Sequence, residues 1–293
     1  MLNYHMPLYR PPSEGENLII QATLGCSFNR CTFCSMYHDK TFTARPLEDV
    51  LLDIDILSRA WPHARRVFLA DGDALVLPTD HLIKILNHIA LRLPKLTRVS
   101  AYALPANLIK KSVAELTKLQ ENNLNLLYYG IESGHAPLLK TVHKGATPST
   151  MLEGLLKAEQ AKMKISATVV LGLAGQDGWK EHIDSTVDLL KKAPLNYLST
   201  LQLFLEDSVK KQFLEGFKNG FKFQDDRAIL SEQYRFIDKL TELPKRVIFR
   251  SNHASNALAL AGNLPKDRLR LLSEIKTAQE GTKDLRPDYL RSL

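Results

Sequence analysis

The sequence is poor in cysteine. Its 293 residues include three, and all three lie within the nine residues from Cys26 to Cys34. An odd number so closely spaced makes a poor disulfide framework. A chain of this length buries roughly three quarters of its unfolded surface, so its stability does not require cross-links. The cysteines therefore point to metal binding rather than to disulfide bonding.

Signals for export and for membrane insertion are also missing. No run of about eighteen apolar residues occurs, which argues against a transmembrane helix. The N-terminal segment MLNYHMPLYRPPSEGEN has no apolar core of the signal-peptide type. We therefore expect a cytoplasmic protein with no membrane partner.

The excess of positive charge is modest and has no long block. Lys and Arg number 39 against 32 Asp and Glu, for a net charge of +7. The basic residues are scattered along predicted helices, as in Lys110-Lys111 and Lys191-Lys192. This pattern is typical of a solvated helical surface, so nucleic-acid binding is not indicated.

Short apolar runs alternate with longer amphipathic segments after about residue 17, and apolar residues in those segments recur at a spacing of three to four. The predicted strands are Asn17–Leu24, Arg66–Ala70, Arg98–Leu104, Asn125–Ile131, Lys164–Leu171 and Tyr197–Phe204. The predicted helices between them are 46–60, 79–92, 106–122, 148–162 and 178–192. This rhythm predicts right-handed βαβ units and a parallel sheet. Six repeats fall short of the eight in a closed TIM barrel, so we predict an α/β fold with a partial (β/α)6 TIM-like barrel.

The rhythm changes beyond about residue 206. Segments 207–219, 228–242 and 264–280 are predicted to be helical, and a short strand candidate, Arg246–Arg250, precedes SNHASN. We predict three parts, which are an N-terminal extension at 1–17, the partial barrel at 18–205 and a mostly helical C-terminal cap at 206–293.

The cysteines follow the first predicted strand directly, at the edge where parallel α/β folds bind ligands. Thiolates are soft ligands that suit iron–sulfur clusters or zinc. Three of them can hold three irons of a [4Fe–4S] cube and leave the fourth iron open for chemistry. Two alternatives remain, a Cys3His zinc site completed by His38 and three incidental cysteines.

With Phe33 just before the third cysteine, this loop resembles that of the radical S-adenosylmethionine (radical SAM) superfamily. That family has three cysteines after its first strand and an aromatic residue at this place. Its usual spacing is three residues and then two, whereas this chain has four and then two. The resemblance implies that Cys26, Cys31 and Cys34 hold a [4Fe–4S] cluster, and that Phe33 lies near the adenine of S-adenosylmethionine.

A second element follows the second strand, where Asp71-Gly72-Asp73 stands in the place of the family's common Gly-Gly-Glu. There the resemblance implies that Asp71, Gly72 and Asp73 receive the methionine amino group. A glycine lets the backbone approach a ligand, and a carboxylate suits an ammonium. By itself the triplet is more typical of a plain loop. However, it directly follows a predicted strand, as the cysteine loop does, and this placement favours a role in binding the cosubstrate.

Two further motifs resemble the subgroup that includes oxygen-independent coproporphyrinogen oxidases. Gly130-Ile131-Glu132-Ser133-Gly134 resembles its Gly-x-Glu-Ser element, which implies that Glu132 hydrogen-bonds the ribose. Lys144 stands where a basic residue pairs with the methionine carboxylate, with a plain surface lysine as the alternative. In residues 170–176, Gly172, Leu173 and Gly175 stand in a turn like Gly-Leu-Pro-Gly-Gln, whose backbone lines the adenine. Thr168 stands where the subgroup has an aspartate that contacts the ribose. The resemblance as a whole covers roughly residues 18–205.

This resemblance implies an enzyme that cleaves S-adenosylmethionine reductively to give methionine and a 5′-deoxyadenosyl radical, which takes a hydrogen atom from an unknown substrate. It implies a reducing partner such as ferredoxin or flavodoxin. With all three cysteines used, none remains for a second cluster, which argues against methylthiotransferases and SPASM-type maturases, and there is no room for a cobalamin domain ahead of the barrel. We predict an oxidoreductase or lyase. The alternatives are a coproporphyrinogen-oxidase-like activity and a zinc or iron–sulfur protein without turnover.

The most polar compact segment outside these motifs is 250–256. As a strand-exit loop it would cover the mouth of the barrel, where Arg250 and His253 are candidate substrate contacts. The alternative is a structured turn with capping Asn and Ser residues.

Overall fold

The computed structural model describes residue 2 and residues 4–291. The strands are β1 (Leu18–Gln21), β2 (Thr23–Leu24), β3 (Thr43–Ala44), β4 (Arg66–Ala70), β5 (Arg98–Ala103), β6 (Leu124–Glu132), β7 (Lys164–Leu171), β8 (Tyr197–Gln202), β9 (Val247–Ser251) and β10 (Leu260–Leu264). The helices are α1 (Leu47–Ala60), α2 (Thr79–Arg92), α3 (Pro105–Lys110), α4 (Val113–Glu121), α5 (Ala136–Thr141), α6 (Pro148–Gln160), α7 (Gly175–Leu190), α8 (Asp207–Glu215), α9 (Asp226–Lys239) and α10 (Arg268–Gln279). None of the described helices combines the length and apolarity that a membrane span requires.

The chain forms two compact units. The first contains the described residues up to Asn29, together with Met36–Tyr129 and Leu156–Ile165. The second contains Arg30–Ser35, Gly130–Leu155 and the described chain from Ser166 onwards. The cysteine loop is divided between them, since Cys26 belongs to the first unit and the other two cysteines to the second.

The first unit is built on parallel strands in the order β1, β4, β5, β6. In β4, the run Val67–Ala70 is fully buried. Such a continuous apolar run is typical of a parallel strand that is covered on both faces. Parallel pairing places the carboxyl ends of β1 and β4 at one edge, where the cysteine loop and the Asp71 turn begin.

The second unit has the strand order β7, β8, β9, β10, in which β10 alone is antiparallel to its neighbour. Helix α7 packs against α9, and α9 packs against α10. The turn that follows β7 therefore lies close to the helices of the C-terminal part of the chain.

The structure confirms the α/β class and five of the six predicted strands, and β4 and β7 have the predicted bounds. The predicted strand Asn17–Leu24 is divided into β1 and β2, and β2 pairs with β3 in a separate two-stranded sheet. The prediction of one helix over 106–122 is wrong, because α3 ends at Lys110 and α4 begins at Val113. Ser112 caps α4, since its Oγ accepts a hydrogen bond from Glu115 N (3.2 Å) while Glu115 Oε2 accepts one from Ser112 N (2.8 Å). This reciprocal capping box starts a new helix.

The C-terminal part also differs in detail from the prediction. It adds two strands to its helices, since the candidate at Arg246–Arg250 is β9 and is followed by β10, which the sequence analysis missed. Asn and Gly are disfavoured in strands, yet Leu260, Gly262 and Leu264 alternate as buried residues along β10. The predicted start of a helix at residue 264 is therefore wrong, and α10 begins only after the strand and Pro265. The three predicted parts of the chain stay a prediction.

Candidate active site

In the first unit, the Asp71-Gly72-Asp73 turn holds the chain on both sides of Cys26. The backbone N–H of Gly25 donates to Asp71 Oδ2 (3.2 Å). The Ser27 hydroxyl donates to the carboxylate of Asp73. The turn after β4 thus fixes the residue before and the residue after the first cysteine.

Asp71 is already engaged in a buried ion pair. The Nζ of Lys40 lies 2.7 Å from Asp71 Oδ2, and Gln21 Nε2 donates to the same oxygen (3.3 Å). The aspartate is fully buried, and its Oδ1 has no hydrogen-bond partner among the residues the structure describes. The structure therefore assigns Asp71 a bracing contact that the sequence analysis missed, and its predicted contact with the amino group stays a prediction.

Asp73, the second carboxylate of this turn, is fully buried. Burial raises its pKa to about 6, although the hydrogen bond from Ser27 acts in the opposite direction. Its Oδ1 has no partner in the described part of the chain. A buried carboxylate oxygen that lacks a donor suits a cationic ligand.

The glycine of this turn has a packing role. A Cβ on Gly72 would lie 2.5 Å from the ring of Tyr37. The ring of Tyr37 therefore occupies the space that a side chain at position 72 would need. The predicted approach of a ligand to the backbone of Gly72 stays a prediction.

In the second unit, Cys31 and Cys34 flank a turn that is hydrogen-bonded to the residue after the C-terminal end of α5. The N–H of Cys34 donates to Cys31 O (3.2 Å), and the N–H of Thr32 donates to Val142 O (3.1 Å). Phe33 packs against a buried cluster that also contains residues of the turn after β7. The members of this cluster are Leu138, Val142, Val170, Leu173 and Phe213.

Glu132 and Lys144 form a buried pair. The Nζ of Lys144 lies 3.0 Å from Glu132 Oε1, and each residue is 8% exposed. Glu132 has a φ of 60°, which is uncommon for a residue other than glycine. A Cβ on Gly130 would lie 2.0 Å from Glu132 Oε1 and 2.8 Å from Lys144 Nζ. A side chain at position 130 would therefore displace the carboxylate of Glu132 and the ammonium of Lys144 from their present positions.

The charge of Lys144 also acts on two of the cysteines. Burial alone would lower the pKa of this ammonium, but Glu132, Cys31 and Cys34 together raise it above its ordinary value. An ammonium near a thiol favours the thiolate, which is the form that binds metals. The structure thus brings together four of the predicted residues, which are Cys31, Cys34, Glu132 and Lys144.

The turn after β7 has positive φ values at two of its glycines, which is the conformation that glycine favours. Gly172 has a φ of 80° and Gly175 a φ of 64°. The N–H of Gly172 donates to both carboxylate oxygens of Glu232 in α9 (3.1 Å each). Thr168 is half-buried within β7, in register with Ser199. Glu232 was missed by the sequence analysis, although a glutamate inside the apolar stripe of a helix is a signal that could have marked it.

The segment 250–256 forms a bonded turn. Asn256 is buried, and its Nδ2 donates to Thr200 O (2.8 Å). His253 Nδ1 lies 2.9 Å from Ser255 Oγ, while Arg250 is exposed on β9. These contacts agree with the alternative of a structured turn. The roles of Arg250 and His253 in substrate binding stay a prediction.

Within the described residues, no group of three or more His, Cys, Asp or Glu side chains is arranged to hold a single metal ion. His38, the fourth ligand of the zinc alternative, is exposed. A structural zinc ion draws four ligands to about 2.0–2.3 Å from one point. The thiolates of a [4Fe–4S] cube bind different irons, so they need not converge in this way. Within the second unit, the thiols of Cys31 and Cys34 with the nearby ammonium of Lys144 fit two of the ligand positions of such a cube.

A family model described as the radical SAM superfamily matches residues 20–199. Among curated proteins, one of Methanocaldococcus jannaschii that bears the provisional name methylthiotransferase is 25% identical over 58% of this chain. An uncharacterized methyltransferase of Pyrococcus horikoshii is 24% identical over 66% of it. The matches span only 39% and 40% of the lengths of these two relatives.

Solved structures share the fold at low sequence identity. Coproporphyrinogen III oxidase of Escherichia coli, described as a radical SAM enzyme, has a TM-score of 0.58 and 15% identity, covering 76% of this chain and 52% of its own. Methylornithine synthase has a TM-score of 0.55 and 14% identity, covering 88% and 68%. A radical S-adenosylmethionine methyltransferase of Kitasatospora setae, with cobalamin and a [4Fe–4S] cluster bound, has a TM-score of 0.51 and 16% identity, covering 64% and 34%. These likenesses confirm the predicted fold class.

Proposed function

Because the chain belongs to the radical SAM superfamily, we propose that Cys26, Cys31 and Cys34 hold a [4Fe–4S] cluster at which S-adenosylmethionine is cleaved reductively. The observation that carries this proposal is the buried ammonium of Lys144, which interacts with Cys31 and Cys34 and pairs with Glu132. Thiolates are the ligands that such clusters prefer. A buried cation nearby favours that anionic form.

Cys26, Cys31 and Cys34 would hold the cluster, which in its reduced form would supply one electron for cleavage of the bond between sulfur and C5′, with methionine and a 5′-deoxyadenosyl radical as the products. The residues of the chain bind and orient the cosubstrate. Lys144 would bind the carboxylate of the methionine part of S-adenosylmethionine. Asp73 Oδ1 would accept a hydrogen bond from the amino group of the same part. Glu132, once Lys144 turns to the ligand, would accept a hydrogen bond from a ribose hydroxyl. Each of these groups is buried, so the contacts form in a medium of low dielectric constant, where they are strong.

The apolar cluster behind the Cys31–Cys34 turn would keep water away from this chemistry. Phe33 packs on this cluster, which includes Leu173 of the turn proposed to line the adenine. A dry wall strengthens electrostatic contacts and protects a reactive radical from side reactions. Phe33 would therefore act by sealing the site as well as by lying near the adenine.

The reaction that follows cleavage has two candidates. One is abstraction of a hydrogen atom from substrate, in an oxidoreductase or a lyase. The second is transfer of a methyl or methylthio group, which the names of the two curated relatives favour. The three cysteines of this chain are all assigned to one cluster, so methylthio transfer would need a sulfur source other than a second cysteine-bound cluster of these 293 residues.

Anaerobic reconstitution tests the cluster. We expect about four irons and four sulfides per chain and a brown protein, and we expect Cys34→Ala to lose the iron. Ser35→Ala is the matched control, because it changes the neighbouring residue without removing a thiol, and it should keep the iron. A colourless wild-type protein with one zinc per chain would rule out the proposal.

The products of S-adenosylmethionine distinguish the two reaction classes. Hydrogen-atom abstraction leaves 5′-deoxyadenosine as the nucleoside product, whereas methyl transfer from the sulfonium of a second S-adenosylmethionine leaves S-adenosylhomocysteine in addition. Liquid chromatography with mass detection on reduced, anaerobic reactions measures both. We expect 5′-deoxyadenosine in the absence of any added substrate. S-adenosylhomocysteine formed together with it would favour transfer of a methyl or methylthio group, and S-adenosylhomocysteine without 5′-deoxyadenosine would contradict reductive cleavage.

A further inference from the structure

A carboxylate from the C-terminal part of the chain caps the turn after β7. Glu232 is fully buried in α9, and its two oxygens each lie 3.1 Å from the backbone nitrogen of Gly172. Ile229, one helical turn earlier, packs at the same place, since a Cβ on Gly172 would lie 2.9 Å from its Cδ1. Residues three apart share a helix face, so α9 presents an apolar and a polar contact to one glycine.

The loop before α9 holds the other end of the same turn. The N–H of Gln176 donates to Lys222 O (2.9 Å), and its Nε2 donates to Phe223 O (2.8 Å). A Cβ on Gly175 would lie 2.8 Å from Lys222 O. The segment 222–232 therefore contacts both ends of the turn, and it lies outside the residues 20–199 that the family model matches.

A buried histidine, His182, lies between Glu232 and the loop that contains Ser133. His182 Nε2 lies 3.5 Å from Glu232 Oε1 and 3.1 Å from Val170 O. Its Nδ1 lies 2.8 Å from Ser133 Oγ. Ser133, His182 and Glu232 are each 0% exposed. Because Ser133 follows Glu132 directly, this array joins the turn proposed for the adenine to the loop proposed for the ribose.

Burial favours the neutral form of both titratable groups in this array. Burial raises the pKa of Glu232 to about 8 and lowers that of His182 to about 4, with nearby His135 acting in the same direction on His182. The distance between Glu232 and His182 would suit an ion pair, but both pKa shifts oppose its formation. A neutral acceptor at position 232 is therefore enough to hold the N–H of Gly172.

We propose that Glu232 is a positioning residue for the cosubstrate, which fixes the Gly172 turn and, through His182, couples it to the Glu132 loop. This inference rests on the proposed function, since it assumes that the two loops bind adenine and ribose. The buried N–H of Gly172 needs an acceptor, and the loss of one leaves it unsatisfied. A loosened turn would weaken binding of the nucleoside part, because the ligand would then have to order it.

Three substitutions at one position separate positioning from general packing. Glu232→Gln keeps an acceptor oxygen at the same distance from the N–H of Gly172. Glu232→Asp moves the acceptor away from this N–H because its side chain is shorter, and Glu232→Ala removes the acceptor. Exposed Glu242, just after α9, provides the matched control as Glu242→Ala. Two quantities are measured on the anaerobic, unreduced holoprotein, where no turnover occurs. They are hydrogen–deuterium exchange of the peptide covering 170–176 without ligand, and the Kd for S-adenosylhomocysteine by calorimetry.

We expect Glu232→Ala to raise the Kd about tenfold, Glu232→Asp to raise it several-fold, and Glu232→Gln and Glu242→Ala to leave it within about twofold. Exchange of 170–176 should quicken in the same order. If Glu232→Ala does not fold, Glu232→Asp and Glu232→Gln still give the comparison. An unchanged Kd and unchanged exchange in Glu232→Asp would overturn the inference, and so would equal losses in Glu232→Gln and Glu232→Asp. Wild-type protein that binds no nucleoside would contradict the proposed function, while the exchange data would still test the capping contact.

Discussion

The Nζ of Lys144 lies 3.0 Å from Oε1 of Glu132, in the space that a side chain at Gly130 would occupy. The two residues come from separate motifs and are proposed to bind different parts of one cosubstrate. Their contact holds both side chains in place before the ligand arrives, which reduces the cost of ordering them on binding. A ligand carboxylate would replace Glu132 as the partner of Lys144.

Removal of the ammonium should leave Glu132 as an uncompensated buried charge. Lys144→Met is therefore expected to lower the free energy of unfolding by about 3 kcal/mol and to weaken binding of S-adenosylmethionine at least tenfold. Glu132→Gln combined with Lys144→Met should restore part of the stability. Thermal unfolding of the two single variants and the double variant measures the coupling. Strictly additive losses of stability would show that the pair contributes nothing.

Gly130→Ala tests the space that the pair requires. The added Cβ would lie 2.0 Å from Glu132 Oε1, so the carboxylate must move away from Lys144. We expect a loss of stability and of cosubstrate affinity comparable to that of Lys144→Met. Gly178→Ala in α7 is the control, since the nearest contact of its Cβ is at 3.3 Å and alanine favours a helix by about 1 kcal/mol over glycine. Equal effects of the two substitutions would argue against the steric explanation.

The ion pair between Asp71 and Lys40 should matter for the chain around Cys26. Asp71→Asn removes the charge that pairs with Lys40 and weakens the acceptor of Gly25 N–H. We expect a loss of about 3 kcal/mol in stability and faster loss of iron to a chelator. Lys40→Met tests the same pair from its other side, and iron release is followed by the loss of visible absorbance. Iron release at the wild-type rate in both variants would mean that the pair does not brace the loop.

Much of the scaffold could be predicted because its signals are local. Strand β4 is a run of apolar residues. The glycines of Gly172-Leu173-Ala174-Gly175 indicate a turn with positive φ values. The break between α3 and α4 was also within reach, because Ser112 and Glu115 have the spacing of a capping box. It was missed because the apolar stripe continues through both helices.

The contacts among site residues could not be predicted in the same way. Nothing in the motif that contains Glu132 shows that its carboxylate reaches Lys144, or that the pair occupies the side-chain space of Gly130. Tyr37 was not connected with Gly72, because the two belong to different motifs. Glu232 stands among Ile229, Gln233 and Phe236 on the inner face of α9, and only the fold reveals that it meets a backbone N–H. These relationships depend on tertiary packing, which periodicity does not encode.

The stability of the protein should depend on pH through Glu232. Its pKa is about 8 in the folded chain against an ordinary value of 4.5, so between these values the folded state binds more protons than the unfolded state. The free energy of unfolding therefore falls as pH rises, by up to about 1.4 kcal/mol per pH unit for one group. His182 has the opposite effect, but only between about pH 4 and 6.5.

Urea unfolding at pH 6.5, 7.5 and 8.5 measures this dependence above the range of His182. Glu232→Gln cannot ionise, so its stability should fall less over this range than that of the wild type. Other groups titrate equally in both proteins and cancel in the difference. Parallel pH profiles would show that the carboxyl of Glu232 is not held neutral by burial.

The amount of 5′-deoxyadenosine formed per chain tests the central claim most directly. Reconstituted protein is incubated anaerobically with S-adenosylmethionine and dithionite, and the quenched reaction is analysed by liquid chromatography with mass detection. The account predicts 5′-deoxyadenosine and methionine in equal amounts from the wild type and Ser35→Ala, with none from Cys34→Ala. A protein that carries its full iron content and forms no 5′-deoxyadenosine under these conditions would contradict the account.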